Sequence, residues 1–221
     1  MEDISKNLIF IDVETPNCRN SSVCQIAIIG NEFMLNEIVN PCVEFDSFNK
    51  TFHGIDEIKV LGKPNFKKAF LEKINLLDSK YIFVGHNISF DAHVIVKDAL
   101  RYGVEIKKLN TICTKKLYEK FFPDCGPYDL KSLCSYFGIE LLKHHDAYSD
   151  AIACKELFEL AIKSNNIKGH INSHIKQMNF HASLNKIKYD SYPQILNLRK
   201  ALFIQVYSDL KNNKFRLTNL E

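Results

Sequence analysis

Eight residues near the start of the chain, Leu8-Ile9-Phe10-Ile11-Asp12-Val13-Glu14-Thr15, constrain the fold more than any other stretch. Apolar side chains fill both alternating sets up to Val13, the pattern of a strand covered on both faces of a sheet. Residues i and i+2 of a strand point the same way, so Asp12 and Glu14 share one face. Two neighbouring carboxylates there suffer desolvation and mutual repulsion unless a cation neutralises them. Two readings fit the pair taken alone: solvated acids at the surface end of a strand, or half of a cation site.

The rest of the chain narrows the setting. At 221 residues, 46% hydrophobic and 25% charged, it is long and apolar enough for one domain with a sizeable core and an appendage. No run approaches the ~20 apolar residues of a membrane span. The acidic start Met-Glu-Asp reads as neither a signal nor a transit peptide. The seven cysteines are odd in number and contain no Cys-x-x-Cys pair, which argues against a disulfide framework or a cysteine zinc site. A cytoplasmic protein with reduced thiols and no membrane partner is expected. Residues 165–221 hold nine Lys/Arg and three Asp/Glu, a net +6, against −3 for the preceding residues. An acidic body with a basic tail suits a metal site with a nucleic-acid-facing extension, and equally a solvated tail.

Hydrophobic spacing predicts a strand over 7–14, then a hairpin, Val23–Ile29 and Glu32–Val39, around Gly30-Asn31. Helices are expected over 66–78, 89–102 (capped by Ser89), 111–121, 129–137 and from Asp146 to about Ser164, with a short buried strand over Tyr81–Val84. Residues 164–190 lack periodicity and read as a connector. A last helix from Ser191-Tyr192-Pro193 to about Leu210 carries an apolar stripe, which suits packing on its own chain or docking on a polymerase. The pattern predicts a mixed-sheet α/β domain over 1–163 and a basic linker and helix over 164–221.

Three more positions bear on the acidic pair. Asp91 falls in a first helical turn, where the helix dipole favours an acid, yet it shares a face with Val94 and Ile95. Asp150 lies within the stripe Ala147, Ala151, Cys154, Leu157, Phe158, and a buried carboxylate needs a partner. His145 precedes that helix and can reach the same cleft, whereas its neighbour His144 is expected to be structural or at the surface. Four carboxylates converging without thiolates point to divalent cations of the Mg²⁺ or Mn²⁺ kind.

With these residues in place, the sequence resembles the DEDDh 3′–5′ exonucleases, the family of the proofreading subunit of bacterial replicative DNA polymerase and of RNase T. The motifs are Asp12-Val13-Glu14-Thr15, His86-Asn87-Ile88-Ser89-Phe90-Asp91 and His145-Asp146-Ala147-Tyr148-Ser149-Asp150, in family order over about 7–163. Asp146 stands where the sister subclass has tyrosine, so the histidine subclass fits. Ser22–Ala27 and His53-Gly54-Ile55 resemble the polymerase-subunit-like branch, and Asn110 departs from an aspartate common among relatives.

The resemblance implies a ribonuclease-H-like fold with a mixed five-stranded sheet flanked by helices and a C-terminal helical extension. It implies two cations, Mg²⁺ or Mn²⁺, held by Asp12, Glu14, Asp91 and Asp150, with His145 as general base. Thr15, His86, Asn87 and Phe90 become candidate substrate contacts, Phe90 also being the one best suited to the core. The implied reaction releases 5′-mononucleotides from a nucleic-acid 3′ end, single-stranded DNA favoured, with a DNA polymerase or other replication or repair protein as a partner. Action on RNA, or an inactive nucleic-acid-binding or polymerase-docking module, are the competing readings.

Overall fold

In the computed structural model, described for residues 4–19, 22–31, 33–73, 80–163, 167 and 171–180, the acidic strand lies in the middle of a six-stranded sheet. Strand β1 (Leu8–Glu14) pairs antiparallel with β2 (Gln25–Ile29), which pairs antiparallel with β3 (Met34–Ile38). Between β3 and the next strand comes helix α1 (Ser47–His53). On its other side β1 pairs parallel with β4 (Ile82–Gly85). Helix α2 (Ser89–Arg101) leads to β5 (Lys108–Cys113), parallel to β4. Helices α3 (Thr114–Phe121), α4 (Leu130–Phe137) and α5 (Ala147–Lys163) follow. Strand β6 (Lys176–Asn179) closes the sheet antiparallel to β5, giving the order β3-β2-β1-β4-β5-β6.

Burial on both faces of β1 follows from its two apolar sets. Ile9, Ile11 and Val13 pack with Ala92, Ile95 and Ala99 of α2. Leu8 and Phe10 pack with Cys154 and Phe158 of α5, the Phe10 and Phe158 rings meeting edge to face at 5.4 Å. Truncating the fully buried Phe158 to alanine removes contacts worth about 3–5 kcal/mol. Asp12 and Glu14 continue the Leu8–Phe10 set, so the acids emerge on the α5 side.

Several expectations need correction. The sheet has six strands, and the sixth comes from the stretch read as a connector; its residues, Lys-Gln-Met-Asn, carry no apolar alternation because β6 is an edge strand with three of four residues exposed. Residues 111–113 belong to β5, which runs into α3 without a breaker. In place of a helix over 66–78 there is a π-helical turn, Lys67–Leu71, and residues 74–79 lie outside the described residues. Ser89 is the first residue of α2 and makes no cap. Helix α1 was not anticipated, although Asp46 caps it (accepting from Asn49 N at 2.7 Å) and Gly54 ends it at φ 73°. The last predicted helix, from Ser191, also lies outside the described residues.

Candidate active site

The cleft lies where β1, the start of α2 and the start of α5 meet. It has a volume of about 390 Å³ and is lined by Asp12, Glu14, Thr15, His86, Asn87, Phe90, Asp91, His145 and Asp150, all of the predicted site residues. Carboxylate oxygens of Asp12, Glu14 and Asp150 lie within 4.8 Å of one another. Asp91 joins from α2 through its Oδ1, which accepts from the Val13 N–H at 3.1 Å. Among the described residues, no lysine or arginine forms an ion pair with any of the four.

Electrostatics follow from that crowding. Burial, then the charges of Asp91, Glu14 and Asp150, push the Asp12 carboxyl well above its ordinary range. Burial followed by Asp150 and Asp91 takes Glu14 to about 8. Burial lifts Asp91 to about 7 against the pull of hydrogen bonds from its own and the Val13 N–H, and it raises Asp150 as well. Four crowded, buried oxygen donors whose proton affinities are all raised fit the ligand chemistry of a hard divalent cation.

Helix α5 is positioned at its first turn. Asp146 caps it by accepting from Ser149 N (3.2 Å). The buried Gln25 of β2, opposite Glu14 in register, donates through Nε2 to Asp146 Oδ2 (3.2 Å) and accepts from Ala147 N at 3.3 Å. This amide ties β2, the strand paired with the one that carries Asp12 and Glu14, to the helix that carries Asp150. His145 sits just before α5 in the left-handed region (φ 65°), and its N–H donates to Asp150 Oδ2 at 3.2 Å. Its ring lies between Phe52 of α1 (4.0 Å between centroids) and His144 (3.8 Å, stacked). Burial, with His144, His53 and Lys131 nearby, pushes His145 down to about 4, so its ring is neutral near pH 7.

The candidate substrate contacts divide. His86 is held at both ring nitrogens, by Thr114 Oγ1 (3.0 Å) and Tyr128 O (2.9 Å), and pins β4 to the segments that follow. Gly85 before it admits no side chain: a Cβ would lie 2.7 Å from Ile88 Cδ1. Thr15 is buried and fixed, its Oγ1 accepting from Asn49 Nδ2 at 3.0 Å and its carbonyl from the same amide at 2.8 Å. The His53 Nδ1 accepts from Ile55 N, so its Nε2 donates to Thr15 O at 3.0 Å. Asn87 (φ 68°) is exposed, and so is Phe90 at 37%, which is therefore not a core residue. The stacked, exposed pair Phe48 and Phe52 on α1, which also lines the cleft, carries no signal in the sequence, and His144, expected to be structural or at the surface, sets its Nδ1 3.3 Å from Asp150 Oδ1.

The family model described as exonuclease matches residues 9–158, a span that holds every one of these groups. The chain belongs to the exonuclease family. Membership agrees with the DEDDh resemblance carried by the three motifs. Within the family, the chain is 33% identical over 135 residues to a DNA polymerase III PolC-type protein of Caldanaerobacter subterraneus subsp. tengcongensis, covering 57% of this chain and 9% of that protein. It is 27% identical over 157 residues to the 3′–5′ exonuclease DinG of Staphylococcus epidermidis, covering 71% and 17%. The chain thus spans a small fraction of these relatives' lengths. Its fold is similar to that of E. coli exonuclease I in complex with a dT13 oligonucleotide, with a TM-score of 0.64 at 18% identity, covering 75% of this chain and 42% of that one. No helix among the described residues is long and apolar enough to cross a membrane.

Proposed function

We propose that the chain is a metal-dependent 3′–5′ exonuclease that hydrolyses phosphodiester bonds at nucleic-acid 3′ ends, DNA in preference, and releases 5′-mononucleotides. The observation that carries this reading is the cluster of Asp12, Glu14 and Asp150 oxygens, with Asp91 beside it and, among the described residues, no lysine or arginine paired to any of the four. Asp12, Glu14, Asp91 and Asp150 would hold two divalent cations, Asp12 shared between them, Glu14 and Asp150 serving one and Asp91 the other. Bound there, Mg²⁺ or Mn²⁺ supplies charge neutralisation at the phosphodiester and a lower pKa for the attacking water.

His145 takes the proton from the attacking water as the water oxygen bonds to phosphorus and the bond to the 3′ oxygen of the penultimate nucleotide breaks, that oxygen taking a proton from solvent. A neutral ring is the form that can accept. Phe48, Phe52 and Phe90 offer exposed aromatic faces on which unpaired bases stack, which suits a single strand. The polarity follows the DinG relative. Preference for DNA follows the oligonucleotide held by exonuclease I and the PolC-type relative, which also suggests a polymerase context.

The test is degradation of labelled single- and double-stranded DNA and RNA with Mg²⁺, Mn²⁺ or EDTA. Asp12→Ala, Asp91→Ala and Asp150→Ala are each expected to abolish the metal-dependent loss of 3′-terminal nucleotides. Activity retained in all three would overturn the mechanism, and faster loss of RNA than DNA would reverse the substrate preference.

A further inference from the structure

Beside the carboxylate cluster lies a second group of donors with different chemistry. His144, His145 and Asp150 each offer one ligand atom, all within 4.8 Å of one another. The imidazoles of His144 and His145 stack at 3.8 Å with Phe52 against the His145 ring, so an ion held by both needs the half-buried His144 ring to turn out of the stack. The carboxylate is oriented too: Asp150 Oδ2 accepts from His145 N, leaving Oδ1 to face His144 Nδ1 at 3.3 Å. The His145 ring nitrogens have no hydrogen-bond partner among the described residues, so a lone pair is free.

We propose that His144, His145 and Asp150 form a second cation site, selective for borderline transition ions such as Zn²⁺, whose occupation stops hydrolysis. The selectivity follows from donor type. Mg²⁺ takes oxygen ligands and keeps several waters, whereas Zn²⁺ binds two imidazoles and a carboxylate with one position left open. The inhibition rests on the function proposed above, because Asp150 belongs to both groups and His145 is the base. An ion on the histidines takes the proton acceptor's lone pair and draws Asp150 from the oxygen site. Binding itself requires neither activity nor Asp12.

Titration calorimetry separates the two sites, with zinc sulfate and manganese chloride as probes and circular dichroism to verify folding. Asp12→Ala is expected to lose Mn²⁺ binding yet bind Zn²⁺ as wild type does. His144→Ala and His144→Gln are expected to weaken Zn²⁺ binding by more than the ~10–100-fold that losing an outer-shell partner costs. In the nuclease assay at fixed Mn²⁺, the Zn²⁺ concentration for half-inhibition should rise with His144→Ala by a similar factor. Loss of Zn²⁺ binding in Asp12→Ala, or its survival in both His144 variants, would overturn the proposal. Failure of the exonuclease reading would appear separately, as absence of Mn²⁺-dependent hydrolysis by wild type.

Discussion

Asp91 and Asp98 sit two turns apart on α2, both buried, and differ in what answers their charge. Asp98 meets the Arg101 guanidinium at 2.7 Å and accepts from Val23 N at 2.9 Å, a structural pair fastening α2 to the segment before β2. Among the described residues Asp91 meets its own N–H, that of Val13 and the charge of Asp150. That contrast yields a pH dependence. Asp12, Glu14, Asp91 and Asp150 are all raised, so the folded metal-free protein holds protons that the unfolded chain has released. Their contribution is fully present below the unfolded carboxylate range, about pH 4, and is lost as pH rises through about 7 for Asp91 and about 8 for Glu14. The urea midpoint of EDTA-treated protein should therefore fall from roughly pH 5 to pH 8, and Mn²⁺ should restore it most at the alkaline end. At the same scale, His145→Ala should lower the turnover rate by about 10²–10⁴, with a far smaller change in Mn²⁺ affinity by calorimetry. Loss of Mn²⁺ binding instead would make His145 a ligand of the carboxylate site.

Among the elements, Gln25 matters most for assembling the site, since it joins β2 to the first turn of α5. Gln25→Glu sets a carboxylate against Asp146 and should cost about 1–3 kcal/mol in stability and reduce the rate. Adding Asp146→Asn supplies an amide donor in return and should recover part of both; denaturant melts and nuclease rates of the single and double variants measure this. The carboxylates and His145 were legible because a buried acid breaks an apolar pattern, and the pattern was strong at Asp12, Asp91 and Asp150. Gln25 stood in an anticipated strand, but its partner lies 121 residues away, and local spacing cannot show that. For Phe90 the sequence left both a substrate contact and a core place open, because an aromatic beside an apolar stripe looks like core, while its exposure depends on how α2 starts. Helix α1 had both of its capping signals, yet its seven residues are too short for periodicity to register.

For the whole molecule, the hairpin, the central strand and the helices around α2, α4 and α5 followed from apolar spacing, whereas β6 did not. Its place depends on an open edge of β5, with which it pairs from Lys108↔Asn179 to Thr111↔Lys176. Contacts group residues Met1–Ser183 as one compact unit. A chain ending at residue 163 would lack β6 and leave β5 as an exposed edge. It should melt at lower temperature and aggregate more than one ending at 183, as calorimetry and light scattering would measure.

The central position of β1 has a consequence for how the site moves. Strand β4 pairs with it over Leu8–Phe10 and β2 over Phe10–Glu14, so its hydrogen-bonded backbone amides should exchange with deuterium only in the rarest openings of the sheet. His144 and His145 belong to a loop outside the sheet and should exchange orders of magnitude sooner. Asp12 and Glu14 should thus stay fixed through every lesser fluctuation, and the loop ahead of α5 that carries His144 and His145 should be the part of the site that opens first.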